Sequence, residues 1–239
     1  VKAATLVVVR PEPGNAATVA AAREMGCDVH GEPLFEIVAT SWESPSAGEF
    51  DAVLIGSANA LCHGGPALAG YAPLPAYVVG KATAQAALEA GFSVAATGSG
   101  GLQSLVAALA QAGRKRVLRL AGAEHVALDA GSEMTIETVV MYEAVPLGLS
   151  PAGASLLRTG VVAMLHSAAA ARHFAAECER AGIERGTIAL ACLGPRIAAA
   201  AGAGWATVAS AERPDDTALL ALAARMCQTA NFGDTDDND

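Results

Sequence analysis

The chain has 239 residues, 53% of them hydrophobic and only 16% charged, which excludes overall disorder and suits two small domains or one large one. Aromatics are scarce at 4% while Ala and Gly abound, so the expected core is close helix–sheet packing rather than large rings. The net charge of −9 and the lack of any Lys/Arg-rich run beyond "GRKR" at 113–116, read as a solvated loop, argue against a nucleic-acid partner.

Short β-branched runs alternate with helical stretches along the chain. "TLVVVR" (5–10) reads as a strand, and residues 15–26 read as a helix with Asn15 as N-cap and Gly26 as its stop. "AVLIG" (52–56) is a strand, "ANALCHGGPALAG" a broken helix, "AYVVG" (76–80) a strand and "ATAQAALEAG" a helix. A helix at 101–113 and a strand at 116–122 follow. Later come a strand at 161–165, a helix at 168–182, a strand at 187–194 and a closing helix at 215–227. Continuous apolar strands between helices predict α/β architecture with parallel sheets covered on both faces.

Two extended, part-polar segments, "PLFEIVATSW" (33–42) and "TIETVVMYEAVPL" (135–147), flank a self-contained α/β stretch. Pairing of these segments predicts a first domain (1–36 and 147–230) split by an inserted one (40–140), with hinge strands near 34–40 and 138–146. The tail "GDTDDND" carries four acids and no apolar residue, so 231–239 is expected to be solvated and disordered.

Five widely spaced cysteines without a C-x-x-C pair fit reduced thiols better than a disulfide framework or a zinc site. The opening apolar run is too short for a signal peptide or a membrane span, so a cytoplasmic protein without membrane contact is expected.

A repeat links the two halves. "DAVLIGSANAL" (51–61) parallels "VVAMLHSAAAA" (161–171), and "YVVGKATAQAALEAG" (77–91) parallels "ACLGPRIAAAAGAG" (191–204). Each half reads strand, Ser57 or Ser167, helix, strand, Gly80 or Gly194, helix. Helix starts beyond parallel strand ends offer free N–H groups and a positive dipole end, which suits anions. Two lobes so equipped are expected to make a cleft for a polyanion. The sequence has neither G-x-G-x-x-G nor a phosphate-loop motif, which removes dinucleotide and nucleotide-hydrolysis readings.

In order, "VVVRP", "DAVLIGSANAL", "YVVGKATAQAALEAG", "VVMYEAV", "MLHSAAAARHF", "CLGPRIAAAA" and "ASAERPDDTALLAL" resemble the uroporphyrinogen-III synthase family over roughly residues 5–225. The resemblance implies two similar α/β lobes joined by a two-stranded β-ladder, the first lobe discontinuous in sequence. It implies a lyase that cyclises linear hydroxymethylbilane, a tetrapyrrole with eight carboxylates, to uroporphyrinogen III. Water is lost and ring D is inverted, with no metal and no cofactor. It further implies a monomer that receives its substrate by transient handover from hydroxymethylbilane synthase. A two-lobed binding module without chemistry is the alternative reading.

Tyr142 matches the family's tyrosine on the connecting strand, where a phenol can donate a proton to the leaving hydroxyl; an edge-strand packing role is the alternative. Ser57 and Asn59 match the Ser-containing turn of the inserted domain, with Gly56 where Thr is usual, and Ser167 with His166 is the equivalent in the other domain. These hydroxyls either bind carboxylates or cap helices. Gly80, Lys81 and Thr83 open one glycine-led helix. Gly194 and Arg196 open the other, with Arg196-Ile197 where the family often has two threonines. Arg10, at the end of the first strand, is a carboxylate candidate or a salt-bridge partner of Glu12 or a neighbouring loop.

Overall fold

The computed structural model describes residues 3–99 and 101–229, so the expectation for the tail at 231–239 lies outside the described residues. In chain order the elements are β1 (Thr5–Val8), α1 (Gly14–Glu24), β2 (Val29–Gly31), β3 (Phe35–Ala39), β4 (Ala52–Ile55), α2 (Ala58–His63), β5 (Pro75–Val79), α3 (Lys81–Glu89), β6 (Ser93–Gly98), α4 (Leu102–Gln111) and β7 (Arg116–Gly122). Then follow β8 (Thr135–Pro146), α5 (Pro151–Leu157), β9 (Val161–Leu165), α6 (Ala168–Arg180), β10 (Ile188–Cys192), α7 (Pro195–Ala201), β11 (Thr207–Ser210) and α8 (Asp216–Thr229). The chain forms two compact units, one of residues up to Glu36 and from Pro146, the other of Ile37–Val145.

The first unit holds a five-stranded parallel sheet in the order β2-β1-β9-β10-β11. Strand periodicity divides its apolar residues between two faces. Val7, Val9, Ala163 and Leu165 face α6 through Phe174 and Cys178. Leu6, Val8, Val162 and Met164 face α1 and α8 through Val19, Leu219 and Ala223. Full burial of each such Val, Leu or Phe stabilises the unit by about 1.5–3 kcal/mol. Burial also pushes the Cys178 and Cys227 thiols up to about 12, which keeps both protonated.

Asn15 was expected to cap α1. It lies instead within the helix, 3% exposed, and its amide donates to the carbonyls of Val8 and Arg10 at 2.7 and 3.0 Å. It thereby fixes the turn from β1 into α1, a role that needs the same short amide as a cap. Gly26 ends the helix at φ +77°, where its N–H and that of Cys27 satisfy the last carbonyls. Where the chain resumes, Glu32 is buried and accepts from the Ser150 N–H and hydroxyl, while Ser150 caps α5. Arg180 and the Leu149 N–H hold the Glu177 carboxyl down at about 2.

The second unit holds a sheet in the order β3-β8-β7-β4-β5-β6. Strands β4 to β8 pair in parallel. Leu147 N–H reaches the Leu34 carbonyl and Thr40 N–H the Met141 carbonyl, so β3 and β8 run in opposite directions. Val53, Ile55, Leu118 and Leu120 face α2 and α3, whereas Leu54, Tyr77 and Val117 face α4 through Leu105 and Leu109. Among the described residues, no helix is long and apolar enough to cross a membrane.

Each sheet reverses its strand order at one point. In the first unit the chain builds outward from β1 to β2 on one side and from β9 to β11 on the other. In the second it builds from β4 to β6 on one side and through β7 to β8 on the other. Adjacent connections leave these strand ends in opposite directions, so the crevices beyond β1/β9 and β4/β7 are the natural ligand positions of such sheets.

Candidate active site

In the second unit, a pocket of about 260 Å³ opens at the β4/β7 reversal. Gly56 and Ser57 line it after β4, Arg119–Gly122 along β7, Leu102 from α4 and Tyr142 from β8. Ser57 is the N-cap of α2, its Oγ accepting the Asn59 N–H at 3.2 Å. The cap consumes one lone pair but leaves the hydroxyl proton free to donate. Asn59 enters through that N–H and does not line the pocket.

Tyr142 sits where the β7–β8 register shifts, opposite Gly122. A Cβ at Gly122 would fall 2.6 and 2.7 Å from Cε2 and Cζ of the Tyr142 ring and 3.0 Å from its Oη. Only glycine therefore lets the ring lie across β7. The His63 ring stands 6.3 Å away, centroid to centroid, and tilted. His125 hydrogen-bonds the Gly122 carbonyl through Nδ1 at 2.8 Å, tying the following loop to the same point.

Arg119 and Gly122 are pocket residues that sequence reasoning missed. Arg119 is 4% exposed, between Leu118 and Leu120 in the centre of β7, and burial pulls its guanidinium below its ordinary pKa. A charged residue inside an apolar strand run was the available signal.

Gly80, at φ +80° and ψ 156°, occupies backbone space open to glycine alone, with nothing near the position a Cβ would take. No side chain caps α3, so its first-turn N–H groups stay available. Lys81 is exposed at the head of that helix, while Thr83 turns inward and is 5% exposed. None of these three lines the pocket.

In the first unit, a pocket of about 330 Å³ brings together Ser167, Gly194 and Arg196 with Leu193, Ile197 and Pro214. Ser167 caps α6, accepting the Ala170 N–H at 3.0 Å. Gly194 is extended at φ −173°, a conformation any residue adopts, and no side chain caps α7 behind it. Both serines thus cap helices, as one alternative held, and both also line pockets.

Arg10 and His166 follow β1 and β9, at the reversal point of this sheet. Arg10 reaches Asp216 at 2.8 Å rather than Glu12, whose carboxylate accepts the Ala16 N–H. Gly14 leaves room for the guanidinium, since a Cβ there would meet Arg10 Nε at 2.5 Å. His166 has a side chain 10% exposed and, among the described residues, no hydrogen bond at either ring nitrogen, with Asp216 at 3.8 Å. Burial first, then the Arg10 charge, push its pKa down to about 4 against the pull of Asp216. The imidazole is therefore neutral near pH 7 and can donate one N–H.

Between about 4 and the ordinary 6.5, the unfolded chain binds the proton that folded His166 refuses, so stability rises with pH across that window. Acidification to pH 5 is expected to cost about 2 kcal/mol through this residue. Urea unfolding at pH 7 and pH 5 measures it, and His166→Gln should flatten the difference. Equal pH slopes for the two proteins would remove burial of a neutral histidine from the account.

The sequence model of the uroporphyrinogen-III synthase HemD family matches residues 16–221. The chain belongs to the uroporphyrinogen-III synthase family. Members of this family are lyases of porphyrin biosynthesis. Among solved structures, the uroporphyrinogen-III synthetase of Helicobacter pylori 26695 matches at 19% identity with a TM-score of 0.64, covering 93% of this chain and 99% of its own. A mutant uroporphyrinogen III synthase from the extremely thermophilic bacterium Thermus thermophilus matches at 19% identity and a TM-score of 0.55, covering 95% and 100%. At that identity the structural likeness speaks for the fold, while family membership rests on the sequence match. No curated protein matches the chain in sequence.

Proposed function

We propose that this synthase-family chain cyclises hydroxymethylbilane to uroporphyrinogen III, with Tyr142 as proton donor to the departing hydroxyl. The observation that carries the reading is the phenol lining the pocket at the β4/β7 reversal beside Ser57, with Gly122 making room for it. The electron-rich pyrrole supports the cation left when the C–O bond breaks, so the step needs a proton and little else. The hydroxyl takes the phenol proton and leaves as water. Attack through the substituted carbon of ring D forms a spiro bond. The bond from that carbon to its original methylene bridge then breaks and re-forms at the ring's free α-carbon, which inverts the ring and sheds the one proton that balances the phenol's loss.

Selectivity is a matter of holding. The linear tetrapyrrole closes unaided to the symmetrical isomer, so the protein must favour attack through the substituted carbon of ring D by positioning. Eight carboxylates require many donors and no strong base. In the second unit, Ser57 and the free N–H groups after Gly80 support that role, with Lys81 adding charge at the same helix start. In the first, Ser167 and Arg196 share a pocket, and Arg10 with His166 offers donors at the reversal of the sheet. We assign carboxylate binding to these groups.

A transient handover from hydroxymethylbilane synthase to a monomeric cytoplasmic enzyme belongs to the same proposal, because a short transit limits unaided closure. The test is the identity of the product isomer, made with wild-type protein and with Tyr142→Phe.

A further inference from the structure

We infer that Arg119 anchors one carboxylate of the substrate through the Nε/Nη2 edge of its guanidinium, within the pocket that also holds Tyr142. Nη1 donates to the Val126 carbonyl at 2.7 Å, and among the described residues this is the only hydrogen bond the side chain makes. Nε is buried and has no partner among the described residues. The edge that Nε and Nη2 form is the one on which an arginine grips a carboxylate with two parallel bonds.

A structural role explains only part of this. Tying the loop after β7 by way of Val126 uses Nη1 and leaves the other edge unemployed. Buried charges in folded proteins are paired, because removing a cation from water without a counter-charge is costly. The ionisable group that acts on it is the Tyr142 phenol, and Glu124, which lines the same pocket, forms no ion pair with Arg119 among the described residues. His125, the other ionisable neighbour on that loop, is engaged with the Gly122 carbonyl. The charge therefore waits for an acid from outside.

The pocket suits such an acid. At about 260 Å³ it accommodates a carboxylate with its short methylene stem, and Leu102, Leu120 and Ala121 line it with apolar surface beside the guanidinium. The Ser57 hydroxyl can donate to the same group. A carboxylate held there, in one pocket with Tyr142, fixes a pyrrole relative to the phenol. This deepens the proposed cyclisation and rests on it for the substrate, whereas the carboxylate site itself stands on the geometry of Arg119.

The test separates the two. In wild-type protein labelled with nitrogen-15, the Arg119 Nε–H resonance, assigned by its absence in Arg119→Lys, is followed during titration with sodium propionate and, in parallel, sodium chloride. A saturable shift with propionate and none with chloride is the expected result. No shift with propionate, or an equal one with chloride, overturns the carboxylate site whether or not the protein turns over hydroxymethylbilane. In kinetics, Arg119→Met is expected to raise KM about tenfold or more, with kcat changed far less. Arg119→Lys, which keeps the charge and loses the fork, should fall between. An unchanged KM in a variant that folds would reduce Arg119 to a loop tether. Wild-type protein that makes no isomer III while showing the propionate shift would sink the cyclisation reading and leave the site intact.

Discussion

Tyr142→Phe is expected to lower kcat for isomer III formation by about a hundredfold while changing KM little, the scale of a lost general acid. The ring that packs across Gly122 is kept and the Oη alone is removed, so the melting temperature should stay within a degree or so of wild type. Steady-state rates on hydroxymethylbilane generated in situ, read beside thermal melts, separate chemistry from folding. Activity within a few-fold of wild type would show that the departing hydroxyl takes its proton from elsewhere. The tyrosine would then be a packing residue, the other reading its strand position allowed.

Gly122→Ala tests the same site from the opposite strand. The new methyl would lie 2.6 Å from the Tyr142 ring, closer than real Cβ contacts come, and its nearest neighbours are ring atoms rather than a flexible chain end. The ring must swing off β7, carrying its hydroxyl away from the pocket. Overpacking of this kind costs about 1–3 kcal/mol, a fall of roughly 2–4 °C in Tm for each kcal/mol in a chain of this size. The loss in kcat should approach that of Tyr142→Phe. In the double variant the two activity losses should not add, since both remove one phenol from one place. Additive losses would mean that Gly122 serves the reaction by another route, such as loop geometry at His125.

Much of this arrangement was legible in the residues. The buried strands β1, β4, β5, β7, β9 and β10 read as continuous apolar runs because both faces are covered, and the Ser and Gly after four of them marked the repeat. Strands β2, β6 and β11 escaped notice. They lie at sheet edges, and each holds a single Val among Gly, Ser, Ala, His or Thr, so none shows the continuous apolar run that marks a strand covered on both faces. Helix α5 was missed although Ser150 and Pro151 spell a helix start, because its seven residues show no sustained period.

The site was legible where one residue acts through local geometry and illegible where it acts through tertiary packing. Ser57 and Ser167 cap the helices they precede, and that can be read from strand-end spacing. The isolation of Arg119 depends on the loop at Val126 folding over it, and the need for glycine at 122 depends on a register shift against β8. Neither has a local sequence signature. Arg10 illustrates the same limit: its partner, Asp216, stands 206 residues away, while the nearer Glu12 caps its own helix.

The measurement that bears most directly on the account is the isomer ratio of the product. Hydroxymethylbilane is generated in situ, the wild-type protein is added, the products are oxidised, and the two uroporphyrins are separated by chromatography. The account predicts that isomer III predominates. Isomer I alone, formed at the unaided rate in the presence of folded protein, would contradict it and leave a two-lobed binder of acidic small molecules.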